Sequence, residues 1–168
     1  MILFRIIHKN FIDSWSDYTK SRSFRHGARW NSASVPVMYF SVTAQNAMLE
    51  IANYAPSPRM ANKLFRMVAF EFSSLRLYRI VPGELPAAWN ADEFGAATQA
   101  LGDKLLGDDA LDGLLAPSTA INEAIVTHPR DEVRQSAYAN VIVNLEKVGM
   151  STVTVLDSYR PIFSQRMS

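Results

Sequence analysis

The stretch Gly27-Ala28-Arg29-Trp30-Asn31, followed by an apolar run over residues 35–40 and then by residues 44–50, constrains this chain more than any other. A glycine-led loop presents an arginine, a short strand carries Tyr39, and a helix returns Glu50 towards both. The run is β-branched and aromatic and is entered through Pro36, which suits the start of a strand or a sheet edge. Ser41 and Thr43 are both good N-caps, and Ala44, Ala47, Met48, Ile51 and Ala52 then recur at helical spacing. Glu50 falls beside that apolar stripe, at the margin of a core, where burial and a nearby cation govern a carboxylate. Singly, a loop arginine is solvated, a strand tyrosine is core and a helical glutamate is exposed. Their order and spacing together point to a binding site.

At 168 residues the expectation is one domain spanning 1–168. The absence of cysteine removes disulfides, thiolate metal sites and a cysteine nucleophile. With Lys and Arg at 17 against Asp and Glu at 16, no general field for polyanions exists, so neither nucleic-acid binding nor membrane adhesion is expected. The apolar start Met1-Ile2-Leu3-Phe4 is too short for a signal peptide, and no later run approaches membrane-spanning length, so a soluble cytoplasmic protein is expected. His8, His26 and His128 are scattered without carboxylates at ligand spacing, so no metal site is expected. Gly27-Ala28-Arg29 lacks the glycines of the nucleotide fingerprints, so a dinucleotide bound here would not sit in a Rossmann domain.

Residues 1–8 read as a strand, with Arg5 among apolar neighbours. A cation there needs a partner or a ligand, or an edge position from which it reaches water. Residues 10–26 mix Trp15, Tyr18 and Phe24 with Lys20, Arg22 and Arg25, as a loop over the site or a surface helix packed by its aromatics. Residues 53–62, with Pro56, Ser57 and Pro58, read as a break. Residues 65–72 and 75–81 alternate as two strands, and 82–86 as a turn. Residues 93–106 keep a helical stripe of Phe94, Ala97, Leu101 and Leu105 despite Gly95 and Gly102. Residues 108–116 lead as strand or turn into Pro117-Ser118, and 151–156 read as a late strand. Periodicity alone gives the α+β class.

The pattern Gly27-x-Arg29-Trp30-Asn31, then a strand with Tyr39, then Ala47-x-x-Glu50 resembles the RES domain, the toxin half of a bacterial toxin-antitoxin pair named after its Arg, Glu and Ser. Ala116-Pro117-Ser118 supplies the serine. Phe4-Arg5-Ile6, Leu85-Pro86-Ala87-Ala88-Trp89 and Leu101-Gly102-Asp103-Lys104-Leu105 are smaller echoes, so the likeness runs over nearly the whole chain. RES domains continue with Asn, three apolar residues and Asn-Pro. Here Asn140-Val141-Ile142-Val143-Asn144 fits, with Leu145 in place of Pro and an extra segment, 121–135, before it. Asn122 followed by Glu123-Ala124-Ile125-Val126 is a rival alignment, and neither Asn is placed in the site.

RES domains resemble ADP-ribosyltransferases in fold, which implies a mostly antiparallel split sheet with flanking helices and NAD in a cleft between the sheet halves. The resemblance implies catalytic roles for Arg29, Glu50 and Ser118, and NAD contacts from Arg5, Arg29, Asn31, Tyr39 and Ser118. Arg29, with Arg5, would hold the pyrophosphate or the nicotinamide ribose through forked hydrogen bonds. Tyr39 would pack on the nicotinamide or its ribose, and Glu50 would stabilise the positive charge that develops when the nicotinamide–ribose bond breaks. Ser118 has no His nearby in sequence, so it is expected to bond a ligand and not to attack one.

The implied function is a type II toxin that degrades NAD, with water or phosphate as acceptor. A protein ADP-ribosyltransferase using the same site is the alternative. A second alternative is a non-catalytic partner-binding module in which Arg29 and Glu50 form a structural ion pair. The implied partner is a Xre-type antitoxin whose carboxy-terminal end covers the active site and through which an oligomer forms, and the stretch 15–24 is expected at the mouth of the cleft.

Overall fold

The computed structural model describes residues 1–52, 54, 55, 57–128 and 131–164, with the backbone alone for 122–136. Among the described residues seven strands make one sheet: β1 Ile2–His8, β2 Val37–Ser41, β3 Phe65–Phe72, β4 Leu77–Arg79, β5 Gly113–His128, β6 Asp131–Asn144 and β7 Val153–Tyr159. Their order is β4-β5-β6-β2-β1-β3-β7. Every pairing is antiparallel except β4 with β5. Four helices among the described residues lie outside the sheet: α1 Arg22–His26, α2 Ala44–Ala52, α3 Pro58–Leu64 and α4 Ala96–Leu106. The α+β class and the mostly antiparallel sheet are as the sequence led one to expect.

Register decides which residues can meet. Phe4 pairs with Ser41, and Ser41 with Asn140, so these three share a face. Tyr39 and its partner Ile142 lie on that face two residues further along. It is covered by two apolar clusters, one of Trp30, Val37, Ile80, Leu106, Leu114 and Ile142, the other of Ile6, Ala47, Ala61, Met67 and Phe163. The opposite face carries Leu3, Ile7, Met38, Phe40, Phe70 and Val141, against which Trp15 and Tyr18 pack.

Several segments differ from the sequence reading. Of the break expected over 53–62, residues 53 and 56 lie outside the described residues, and its second half begins α3, because Ser57 caps the helix by accepting from the Met60 amide at 3.2 Å and Pro58 occupies its first turn. The strand expected over 75–81 shortens to Leu77–Arg79. Residues 113–128 and 131–144 pair antiparallel with several register shifts, so the described backbone of the extra segment, 121–128 and 131–135, extends β5 and β6. Residues 9–26 form two short 3-10 turns and then α1. Trp15 is turned inward there, 4.6 Å from the Phe70 ring, on the face away from Tyr39.

The start of β4 is fixed by one charged pair. The Asp112 carboxylate is buried and accepts from the Arg76 amide at 2.8 Å, Nε at 3.2 Å and Nη2 at 2.6 Å. Its hydrogen bonds from Arg76 hold it below the usual carboxylate range. A depressed folded pKa contributes stability that is present above the unfolded value and is lost as pH falls through the folded one. Asp112→Asn is therefore expected to lower the urea midpoint at neutral pH and to flatten its decline below about pH 4, the unfolded Asp value. An unchanged midpoint at both ends of that range would contradict it.

Candidate active site

The loop that carries Arg29 is built on α4. Gly27 sits at φ +74°, a left-handed conformation in which a side chain would also overlap Gln99 and the Asn31 carbonyl. Gln99 Nε2 donates to the carbonyls of Ala28 at 3.2 Å and Asn31 at 3.1 Å. Asp103 accepts from the Ser32 amide at 2.9 Å. Gly102 has no Cβ, and the Trp30 carbonyl occupies the space one would fill. The two glycines that interrupt the motif and the helix are thus the places where loop and helix touch.

Trp30 is 1 % exposed and stacks near Trp89 at 6.3 Å. Tyr39 Oη donates to Asn31 Oδ1 at 2.8 Å and accepts from the Trp30 amide at 3.1 Å. Burial raises the Tyr39 pKa, which keeps the phenol a neutral donor. Asn31 is fully buried, and its Nδ2 donates to the carbonyls of Ser23 at 3.0 Å and Ser32 at 2.8 Å. The structure therefore uses Tyr39 and Asn31 to hold the loop.

What the loop presents is Arg29. Its Nη2 donates to the Ala91 carbonyl at 2.8 Å and its Nη1 to the Trp89 carbonyl. Burial lowers its pKa, opposed chiefly by the Glu50 carboxylate. No ion pair joins the two among the described residues, whose ion pairs are Lys20–Asp17, Arg76–Asp112 and Lys147–Asp109. Arg29 is held by carbonyls alone and keeps its charge uncancelled by direct contact.

Glu50 lies partly buried on α2. Thr43 caps this helix, its hydroxyl accepting from the Asn46 amide at 3.1 Å. The Ser118 hydroxyl donates to Glu50 Oε1 at 2.9 Å, and Asn140 Nδ2 donates to the same oxygen at 2.9 Å. Ser118 is fully buried and also accepts from the Ala120 amide at 3.0 Å. Both side-chain donors fall on one oxygen, and among the described residues no hydrogen bond reaches Oε2. A carboxylate fixed at one oxygen and open at the other can stabilise positive charge without reorganising.

The structure thus gathers Glu50 and Ser118, adds Asn140, and brings Arg29 into their field. Asn140, which the sequence left between two alignments, is placed by the pairing of β2 with β6. Arg5 is not gathered. It follows Phe4 on β1 and so projects to the far face, where it donates to Met38 Sδ and lies 5.8 Å from the Phe40 ring centroid. Burial lowers its pKa to about 10, so it remains a cation. It lines a cavity of about 120 Å³ with His8, Ser14, Trp15, Lys20 and Met38, and Arg29, Tyr39, Glu50 and Ser118 are not among the lining residues. Of the stretch 15–24, the Arg22 end reaches the α2 side, stacking 5.5 Å from the Tyr54 ring.

A family model for the RES domain matches residues 2–144. The chain belongs to the RES domain family. It is 25 % identical over 144 residues to a protein of Yersinia enterocolitica named Toxin Res, an alignment that covers 84 % of this chain and 92 % of that one. Among solved structures it is similar to a chain of the Mycobacterium tuberculosis MbcT-MbcA toxin-antitoxin complex, with a TM-score of 0.67, 16 % identity, and coverage of 99 % of this chain and 85 % of the other. At that identity the likeness is one of fold. Among the described residues no helix is long and apolar enough to cross a membrane.

Proposed function

We propose that this chain is the toxin of a toxin-antitoxin pair and that it breaks the nicotinamide–ribose bond of NAD beside Glu50. The observation that carries the reading is the Glu50 carboxylate, bonded twice at Oε1 by Ser118 and Asn140, with Arg29 held near it by carbonyls and not by an ion pair. Family membership and the likeness to Toxin Res support the toxin role. The same geometry speaks against a binding module built on an Arg29–Glu50 pair.

In this reading the anomeric carbon–nitrogen bond breaks and nicotinamide leaves with the bonding electrons, so positive charge develops on the ribose. The unbonded Glu50 oxygen is the group that stabilises it. Water, which then yields a proton to solvent, or phosphate adds at the anomeric carbon; a protein side chain in that place would make the reaction an ADP-ribosylation. Arg29 would anchor the pyrophosphate or ribose with its remaining N–H groups. Ser118 acts by holding Glu50, while Asn31 and Tyr39 act by holding the Arg29 loop. Arg5 stands apart, in a cavity that Lys20 and its ion-pair partner Asp17 also line.

The partner in this proposal is an antitoxin of the Xre type that covers the Glu50 side in the cytoplasm and assembles the oligomer. The likeness to a chain of the MbcT-MbcA complex supports an antitoxin partner. The deciding experiment follows NAD and free nicotinamide with the purified chain, with and without phosphate. Stoichiometric nicotinamide release, lost in Arg29→Ala, is expected, and phosphate dependence would name the acceptor. No NAD loss under either condition would overturn the reading.

A further inference from the structure

Behind Glu50 lies a second side chain that the sequence did not single out. Asn46 sits one turn before Glu50 on α2, on the same side of the helix, and is fully buried. Its Nδ2 lies 2.8 Å from Asn140 Oδ1, 3.0 Å from Ser41 Oγ and 3.3 Å from the Ala139 carbonyl. Its Oδ1 is buried with no partner among the described residues.

Direction along this chain of bonds is forced. A carboxylate only accepts, so Asn140 must turn its Nδ2 to Glu50 and its Oδ1 away. That oxygen then needs a donor, and Asn46 supplies it. The two amides and the carboxylate form one oriented relay across α2 and β6.

The orphaned Oδ1 is a cost that the fold carries for the sake of the Nδ2 donor. A buried polar atom without a partner destabilises the fold, and replacing both members of a buried hydrogen-bonded pair by apolar groups of the same shape can be nearly neutral. A side chain kept under those terms is one whose donor is needed. We infer that Asn46 is a positioning residue for the reaction proposed above: it fixes the amide of Asn140, and through it the direction in which Glu50 presents its open oxygen.

The test is Asn46→Ala, with Asn46→Leu as a second variant that refills the space. Both are expected to lower kcat about tenfold, the effect of a buried hydrogen bond on a rate, with KM within about twofold of the parent. In the Asn140→Leu background neither should cause a further loss of kcat. Unchanged kcat in both variants, or a loss that persists undiminished without Asn140, would overturn the inference.

A second arm needs no turnover. In the parent, Glu50→Gln should displace the Asn140 side-chain amide resonances, and in Asn46→Ala it should displace them by less. If the parent consumes no NAD, the proposed reaction falls and this arm alone decides. A displacement equal in the two backgrounds sinks the positioning role.

Discussion

Replacing Glu50 by Gln is expected to lower the rate of NAD cleavage by about a hundred- to a thousandfold and to make the chain harmless to a cell that expresses it. Removal of one preorganised electrostatic group from an active site costs about 3–4 kcal/mol of transition-state stabilisation. Gln is the informative substitution because its oxygen can still accept from Ser118 and Asn140, which meet Glu50 at a single atom. The charge goes while the two bonds stay. Ala would instead strand the fully buried Ser118 hydroxyl without its acceptor, which costs about 1–3 kcal/mol and mixes folding with chemistry. The measurement is kcat and unfolding temperature on the same preparation. Parent-like turnover in a folded Glu50→Gln chain would remove Glu50 from the chemistry.

Much of this site was legible because it lies in one local unit. The glycine-led loop, the apolar strand with Tyr39 and the capped helix with Glu50 follow each other within about one supersecondary unit's length, and local rules of capping and alternation reach that far. Asn140 was not legible for the opposite reason. It joins Glu50 only because β6 pairs with β2, and its sequence match competed with Asn122.

Arg5 shows the same limit from the other side. Alternation along β1 says that Phe4 and Arg5 point to opposite faces, but which face holds Glu50 is set by the pairing of Phe4 with Ser41. The resemblance placed Arg5 with Arg29, and register separates them. Asn46 carries a local signal: a polar residue four before Glu50 lies on its side of the helix, beside the apolar stripe. Likewise Ser57-Pro58, read as a break, is the capping pattern that begins α3.

Gly102→Ala is expected to have the largest effect of any change outside the Glu50 cluster. The added methyl would overlap the carbonyl of Trp30, which is backbone and cannot swing aside as a side-chain tip can. Helix and loop must separate, and overpacking of this kind costs about 1–3 kcal/mol. In an exposed helix the same substitution would stabilise the chain, since Ala is the better helix former by about 1 kcal/mol. The sign of the change therefore reports the contact directly. Separation also strains what α4 does for the loop, the Gln99 bonds to Ala28 and Asn31 and the Asp103 bond to Ser32. Arg29 is carried between them. NAD cleavage should fall further than the stability loss explains, because misplacing a binding group by about 1 Å can cost a hundredfold in rate. Urea unfolding and kcat/KM, measured together, decide it. A Gly102→Ala chain that is more stable and fully active would show that α4 does not hold the loop, and that Arg29 owes its position to the carbonyls of Trp89 and Ala91 alone.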